Sequence, residues 1–200
     1  MLAALPTAVR TLLLANGVAF IAEGFLGDPL TRGFALWPLD SGAMEAPAFQ
    51  VWQLLTYGFL HAGLLHLLVN MYALAMFGSD LERLWGRARF INLYLASVVT
   101  AGITQLLFYK VAGLAPFPTV GASGGVFGLL LAYALYFPRR TVTLLIPPVP
   151  MPAWLFATLY ALLELGLGVT GTQEGVAHFA HLGGMLGAGV MIWNWRRRPR

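Results

Sequence analysis

Six long apolar segments constrain the fold of this chain more than any other feature of its sequence. Each has about 20 residues, the length at which a helix crosses about 30 Å of hydrocarbon. The chain is 58% hydrophobic and only 10% charged, whereas a soluble domain carries about 25% charged residues. We therefore predict an all-α, polytopic membrane protein in which residues 1–200 form one helical bundle. The predicted spans cover residues 9–27, 60–78, 89–109, 120–137, 151–169 and 176–195.

The distribution of positive charge predicts the orientation of these spans. If six spans alternate in direction, ten arginines fall on one side of the membrane, and only Arg32 and Lys110 fall on the other. Positively charged loops stay in the cytoplasm, so both termini are predicted to be cytoplasmic. The net charge of +4 is not clustered as in nucleic-acid-binding proteins, and the absence of cysteine excludes disulfides and thiolate metal sites. No signal-peptidase site follows the first span, so it is expected to be retained.

Two connecting segments have a distinctive composition. Residues 28–59 combine acidic and aromatic side chains, as is typical of a segment at the outer membrane interface. Residues 111–119 are apolar but contain two prolines, which exclude a regular helix. Apolar, irregular backbone beside a span favours a re-entrant segment buried against protein.

Polar side chains in three spans are expected to lie at the same depth. Ser123 precedes Phe137 by 14 residues in span four, and His181 precedes Trp195 by 14 residues in span six. About 21 Å of helix therefore lies on the inner side of each. Polar residues inside a bilayer are functional candidates by default, and their convergence predicts a site near the outer leaflet. The outer half of span two adds His61, His66 and Asn70.

Small residues indicate that spans four and six pack closely. Gly124 and Gly128 are four residues apart, a spacing that lets another helix backbone approach. Such an approach would bring His181 within reach of Ser123, and a neutral imidazole at hydrogen-bond distance activates a serine hydroxyl as a nucleophile. The small residues of span six are Gly183, Gly184, Gly187, Ala188 and Gly189.

Several of these residues also have simpler explanations. Taken alone, Ser123 is best explained as a helix N-cap, and Asn70 as a helix–helix hydrogen-bond partner. For His61 and His178, an ordinary interhelical contact is as good an explanation as a role in the site. His66 and Asn70 share one face of span two, so with the Ser123 amide, at the positive end of its helix, they are candidate donors to an oxyanion.

The order and spacing of the motifs resemble the rhomboid family of intramembrane serine proteases. The likeness covers about residues 10–195 and implies a six-span rhomboid-like bundle with a Ser123–His181 catalytic dyad. It also implies oxyanion stabilisation by His66, Asn70 and the Ser123 amide. The compactness of the chain resembles the bacterial members, which implies a multi-pass protein of the bacterial inner (plasma) membrane. The matching motifs are His61-x4-His66-x3-Asn70, Gly121-Ala122-Ser123-Gly124 and Ala180-His181-x2-Gly184. We expect the site to be lined by His61, Gly121, Gly124, Phe127, His178 and Gly184.

The chain departs from the family pattern at a few positions. Phe127 stands where many members have tyrosine, yet its spacing from the serine lets its ring stack on His181. Ala188 replaces a second glycine, and Trp52-Gln53 resembles a Trp-Arg pair in the first loop of the family. A family signature after span two, expected to be structural, is matched by Gly78-x2-Leu81-Glu82-x3-Gly86.

No acidic residue is assigned to the site. Glu23 and Glu164 are the only acidic residues within the predicted spans, and neither belongs to a motif. In a Ser-His-Asp triad the acid orients the histidine. Here we expect packing alone to hold His181.

The leading hypothesis is a serine endopeptidase that cleaves transmembrane segments of membrane proteins near the outer leaflet. Its partners are transmembrane protein substrates and the lipid bilayer, without nucleic acid, metal or cofactor. A helical substrate must unwind locally before it can be cleaved. Span five is expected to move to admit the substrate. Residues 170–175 are expected to form a mobile lid over the site. One alternative is a non-catalytic binder of membrane helices, which would not need Ser123 or His181. Another is a metal site or transporter that uses the four histidines, of which His178 and His181 lie one turn apart, although the zinc-protease pattern His-Glu-x2-His is absent.

Overall fold

The computed structural model describes residues 4–44, 46–112, 117–143, 148–171 and 177–197. Within these ranges the chain is mostly helical, which confirms the all-α fold class. Two 3₁₀ helices, Ser41–Met44 and Tyr57–Phe59, interrupt the first long connection. Strands β1 (Thr141–Thr143) and β2 (Pro150–Pro152) form an antiparallel pair. The α-helices are α1 (Thr7–Leu26), α2 (Asp28–Phe34), α3 (Gln53–Thr56), α4 (Leu64–Trp85), α5 (Arg87–Ala112), α6 (Ser123–Tyr136), α7 (Ala153–Thr170) and α8 (His178–Arg197).

Among the described residues, four helices are long and apolar enough to cross a membrane, namely α1, α4, α5 and α7. Helix α6 is also apolar but has only 14 residues, which gives it a length of about 21 Å. Helix α8 has 20 residues, but two histidines and two terminal arginines lower its hydropathy. The chain is therefore an integral, multi-pass helical membrane protein, and the predicted count of six crossings stays a prediction.

Each predicted span coincides with one of the six long helices, but the second span was misplaced at both ends. Helix α4 begins at Leu64 and ends at Trp85, four and seven residues later than predicted. Gly86 ends the helix with a φ of +77°, a conformation that favours glycine. The signature from Gly78 onward therefore lies within α4 and at its end, and the prediction that it follows the span was wrong.

Helix α6 lies at the centre of the bundle. Ten of its 14 residues are buried, and it contacts α4, α5, α7 and α8. Helix α1, by contrast, buries only three of its 20 residues. A helix that is apolar on all sides and buried on most of them belongs in the core of a bundle. The serine at the start of α6 is therefore held by the most enclosed helix of the molecule.

Glycines set the distance between α6 and α8. A Cβ atom added to Gly184 would collide with the carbonyl oxygen of Gly124, and one added to Gly128 would lie 3.0 Å from the carbonyl oxygen of Gly184. The two backbones are therefore in direct contact, as the small-residue spacing predicted.

Part of the glycine set of α8 faces a different helix. A Cβ atom on Gly183 would collide with the side chain of Thr104, and one on Gly187 with the side chain of Thr100. Both threonines belong to α5, so α8 packs tightly against two neighbours. Gly183 and Gly187 thus serve the contact with α5, whereas Gly184 serves the contact with α6.

The first long connection is a folded layer. Gln53 is fully buried, and its side-chain oxygen accepts hydrogen bonds from the backbone N–H groups of Trp37 and Gln50. Leu36 and Thr119 exchange two backbone hydrogen bonds of 3.0 and 2.9 Å. The layer therefore ties the start of α3 to the approach to α6. The predicted re-entrant segment 111–119 and the predicted lid 170–175 lie partly outside the described residues.

Arginines and tryptophans gather at the end of the bundle opposite Ser123. The guanidinium of Arg89 lies 5.9 Å from the ring of Trp195, and that ring packs edge-on against Trp85 at 5.4 Å. Arg140 forms an ion pair with Asp80. Residues far apart in the sequence thus share one end, as expected if neighbouring long helices alternate in direction.

Candidate active site

The backbone before Ser123 approaches a neighbouring helix too closely for a side chain. Gly121 has a φ of +131°, and its N–H donates to the carbonyl oxygen of Tyr57 at 3.0 Å. A Cβ atom at Gly121 would lie 2.8 Å from Cε1 and 2.9 Å from Nε2 of His66. Both the conformation and the close contact therefore require glycine, and they place the His66 ring beside the start of α6.

The side chains of Ser123 and His181 are in direct contact. Ser123 Oγ lies 2.8 Å from His181 Nε2, across the junction of α6 and α8. The N-cap of α6 is Ala122, and it makes no side-chain capping bond. Ser123 is the first residue of the helix and directs its hydroxyl to the histidine, so the N-cap explanation of this serine was wrong.

His181 is also held through the face of its ring. The Phe127 ring stacks on it with centroids 4.3 Å apart and planes inclined by 3°. The imidazole is buried, which restricts its rotation. Phe127 thus occupies the position expected from its spacing after Ser123.

A buried carboxylate completes this cluster. Glu164, on α7, places Oε2 2.8 Å from Nδ1 of His181 and 2.7 Å from Nδ1 of His178. Glu164 is only 6% exposed. The expectation that packing alone holds His181 was therefore wrong, because a charged group contacts the ring nitrogen remote from Ser123.

The depth of Glu164 was a signal that the sequence contained. Glu164 lies 11 residues after Ala153, where α7 begins, which corresponds to about 17 Å of helix. This is close to the depth of about 21 Å deduced for Ser123. An acidic residue inside an apolar span is a functional candidate in its own right, and the depth comparison would have placed it beside His181.

The contacts define how the histidine is protonated. A carboxylate oxygen accepts hydrogen bonds, so the Nδ1 atoms of His178 and His181 are the donors. A neutral imidazole protonated at Nδ1 has an unprotonated Nε2. His181 Nε2 is then an acceptor for the Ser123 hydroxyl, which is the arrangement required of a general base.

The same three residues have the chemistry of a metal site. One ligand atom each from Glu164, His178 and His181 lies within 4.8 Å of the others. Imidazole nitrogens and a carboxylate oxygen are ligands that zinc accepts. The distances from Glu164 to the two histidines are those of hydrogen bonds, so the cluster satisfies itself without an ion. The predicted absence of a metal stays a prediction.

The residues of the span-two motif line the other side of the site. Asn70 is buried, and its side-chain amide donates to the carbonyl oxygen of His66, one turn earlier, at 2.9 Å. His61 packs edge-on against His66, with ring centroids 5.1 Å apart. The backbone N–H of His61 donates to the Glu23 carboxylate at 3.0 Å. Glu23 therefore fixes the chain just before α4.

Comparison with known proteins points to one family. The Rhomboid domain model matches residues 48–198. Rhomboid protein 1, mitochondrial, of Saccharomyces cerevisiae is 34% identical over 139 residues, covering 68% of this chain and 39% of its own length. Rhomboid protease GluP of Bacillus subtilis is 31% identical over 138 residues, which cover 68% of this chain and 24% of the relative. RHOMBOID-like protein 7 of Arabidopsis thaliana is 37% identical over 138 residues, which cover 69% of this chain and 41% of the relative. The matched region is thus less than half of each of these relatives.

Proposed function

This chain belongs to the rhomboid family, and we propose that it is a serine endopeptidase that cleaves transmembrane segments of other membrane proteins near the outer leaflet. The observation that carries this proposal is the contact of 2.8 Å between Ser123 Oγ and His181 Nε2. A relative named as a protease, from Bacillus subtilis, supports the assignment of peptide hydrolysis. No cofactor is needed for this chemistry.

The proposed reaction begins with proton transfer within the dyad. His181 Nε2 accepts the proton of the Ser123 hydroxyl as Oγ attacks the carbonyl carbon of the scissile peptide bond. The imidazolium then donates that proton to the leaving amide nitrogen, and an ester of Ser123 remains. A water molecule, deprotonated in turn by His181, hydrolyses the ester and regenerates the serine.

The tetrahedral intermediates require donors for their oxyanion. We assign this role to His66, Asn70 and the Ser123 backbone N–H. The first N–H groups of a helix have no partner inside it, and the start of α6 carries partial positive charge. The approach of the His66 ring to Gly121 supports its assignment, because it brings a ring donor next to the helix start that bears the nucleophile.

Substrate is proposed to enter from the lipid beside α7. This helix buries only Ala153, Phe156, Ala157 and Glu164, so few contacts oppose its movement. Helices α4 and α7 meet through Phe77 and Phe156, whose ring centroids are 6.4 Å apart. A cross-link between the outer halves of these helices should block cleavage of a membrane substrate, and unchanged cleavage by the cross-linked protein would exclude this entrance.

The membrane arrangement is proposed to be that of six crossings within one domain, residues 1–200, with both termini in the cytoplasm. Arginines of α5 and α8 and of the segment after α6 lie together at the end opposite Ser123. The positive-inside rule then places that end in the cytoplasm and the serine near the outer leaflet. The proposed location is the plasma membrane of a bacterium.

Cleavage of a transmembrane substrate in liposomes tests the proposal. Ser123→Ala should lose all cleavage, and EDTA should leave the wild type unaffected. Ser79→Ala is a matched control, because Ser79 is also largely buried and its hydroxyl donates only to a carbonyl of its own helix. Equal cleavage by wild type and Ser123→Ala would overturn the assignment.

The metal alternative is favoured by one observation, the convergence of Glu164, His178 and His181. It predicts that EDTA abolishes activity and that added zinc restores it. The non-catalytic binder predicts that the wild type cuts no substrate yet retains a transmembrane peptide in a pull-down, with Ser123→Ala retaining it equally well. The three hypotheses thus give different results in the same set of assays.

A further inference from the structure

We propose that Glu164 is a positioning residue for the reaction, so that this chain uses a Glu164–His181–Ser123 relay in place of a dyad held by packing. The inference rests on the proposed function. Its central observation is that one imidazole has Glu164 at Nδ1, 2.8 Å away, and Ser123 at Nε2, also 2.8 Å away.

Contacts to its face and to both of its nitrogens fix the orientation of the His181 ring. Phe127 stacks on its face, which fixes the ring plane. Glu164 and Ser123 hold the two nitrogens, which fixes the rotation within that plane. Of these contacts, the one to Glu164 also determines which nitrogen carries the proton.

Burial of a carboxylate needs an explanation. An isolated buried charge is strongly destabilising unless it is paired and hydrogen-bonded. Glu164 is 6% exposed, and Oε2 receives Nδ1–H bonds from both His178 and His181. His178 thus acts as a second donor that holds the carboxylate oxygen in place while His181 changes its protonation state.

The carboxylate has two effects on the reaction. By accepting the Nδ1–H bond, it selects the tautomer whose Nε2 can take the serine proton. When that proton is transferred, the imidazolium gains a negative neighbour in a buried setting, which lowers the free energy of the charged intermediate. Glu164 itself stays ionised throughout.

The position of Glu164 on α7 has a structural consequence. The rest of the relay lies on α6 and α8, whose backbones touch. If α7 moves outward to admit substrate, Glu164 leaves His181, so α7 must return to its observed position before the chemical step. The site is then fully assembled only when substrate is enclosed.

Glu164→Gln tests the inference, since glutamine keeps the shape of the side chain but removes its charge. We expect kcat to fall by about 10² to 10⁴-fold with KM little changed, and Glu164→Asp to recover part of the loss. Glu82→Gln is the matched control, because Glu82 is equally buried but its bonds within the described part of the chain go to backbone N–H groups of α1. Its kcat per mole of folded enzyme should match the wild type.

A spectroscopic readout separates a positioning role from a merely structural one. In ¹⁵N-histidine-labelled protein, the His181 Nδ1–H should give a strongly downfield-shifted proton signal, present in Glu82→Gln and lost or shifted upfield in Glu164→Gln. A wild-type kcat for Glu164→Gln, or a wild-type protein without a hydrogen-bonded His181 Nδ1–H, would overturn the inference. If Glu164→Gln does not fold, the wild-type spectrum decides.

The failure of this inference can be distinguished from failure of the proposed function. If the wild type neither cleaves a transmembrane substrate nor reacts with a fluorophosphonate at Ser123, the proposed function fails, whatever Glu164 does. If the wild type does both and Glu164→Gln is equally active, only the role of Glu164 is excluded.

Discussion

Two glutamates are buried among the residues that the structure describes, and they have different partners. Glu82 and Glu164 are each 6% exposed, and both lie on long helices. Glu82 accepts the backbone N–H groups of Ala8 and Val9 at 2.8 Å each, which caps the start of α1 from a neighbouring helix. Glu164 accepts from two imidazole rings.

Burial alone therefore does not distinguish a structural acid from a functional one, whereas the groups that bond to the carboxylate do. The backbone N–H groups bonded to Glu82 do not titrate or rotate, so the bond can only stabilise the fold. The imidazoles bonded to Glu164 carry a second ring nitrogen that can accept a proton from another group.

Removing His181 should have the largest effect on activity. His181→Ala leaves Ser123 without a base, and loss of a base in a serine–histidine unit lowers kcat by about 10⁴-fold or more. The measurement is the initial rate of substrate cleavage in liposomes. Asp80→Asn, which breaks the ion pair with Arg140 at the opposite end, should leave that rate unchanged. If both variants lose activity equally, the division between the two ends is wrong.

Separating α6 from α8 should affect both fold and activity. In Gly184→Ala the added methyl group collides with the carbonyl oxygen of Gly124, and we expect the free energy of unfolding to fall by about 1–3 kcal/mol. The same shift lengthens the contact between Ser123 and His181, so cleavage should fall as well. Gly189→Ala is the control, since its methyl group would meet Leu131 at an ordinary 3.6 Å. Thermal unfolding in detergent and cleavage assays measure both quantities.

Glu82→Gln should show the opposite combination of effects to Glu164→Gln. Loss of a charged acceptor for two buried N–H groups should lower the free energy of unfolding by about 1–3 kcal/mol. Activity per folded molecule should be retained, because Glu82 lies far from Ser123 along the bundle. Unfolding curves, together with active-site titration, check both halves of this expectation. A stable Glu82→Gln variant would mean that the cap of α1 contributes little.

Replacing the stacking ring should have the smallest effect. Phe127→Leu keeps an apolar side chain but removes the parallel contact with His181, worth about 0.5–1.5 kcal/mol. We expect kcat to fall about 2- to 10-fold with little change in thermal stability. Phe127→Tyr, which keeps the ring, should retain most of the activity. Loss of activity in the tyrosine variant alone would indicate steric strain in place of lost stacking.

The sequence predicted the parts of this molecule that depend on spacing along one helix. Apolar length located the six long helices, and the four-residue spacing of Gly124 and Gly128 predicted the close contact of α6 with α8. Equal distance from the helix ends brought Ser123 and His181 to one depth. Each of these inferences needs only the rise and the periodicity of a helix.

The parts that were missed depend on the rotation of one helix against another. The predicted second span ended at residue 78, before Glu82, whereas the structure continues α4 to Trp85 and buries the Glu82 carboxylate at the start of α1. Glu164 belongs to no motif, and its orientation toward His181 is set by the packing of α7 on α8. Gly183 and Gly187 face α5. The sequence of α5 has no pair of glycines at four-residue spacing, so nothing in it indicated this contact. The partners of these residues lie on other helices, so local sequence patterns do not identify them.

Covalent labelling of the serine is the most direct test of the central claim, that His181 activates Ser123 as a nucleophile. The folded protein would be treated in detergent with a fluorophosphonate, and the adduct would be located by mass spectrometry. We expect one adduct, on Ser123, that is lost in His181→Ala and after denaturation. An adduct at another residue, or equal labelling of Ser123 with and without His181, would contradict it.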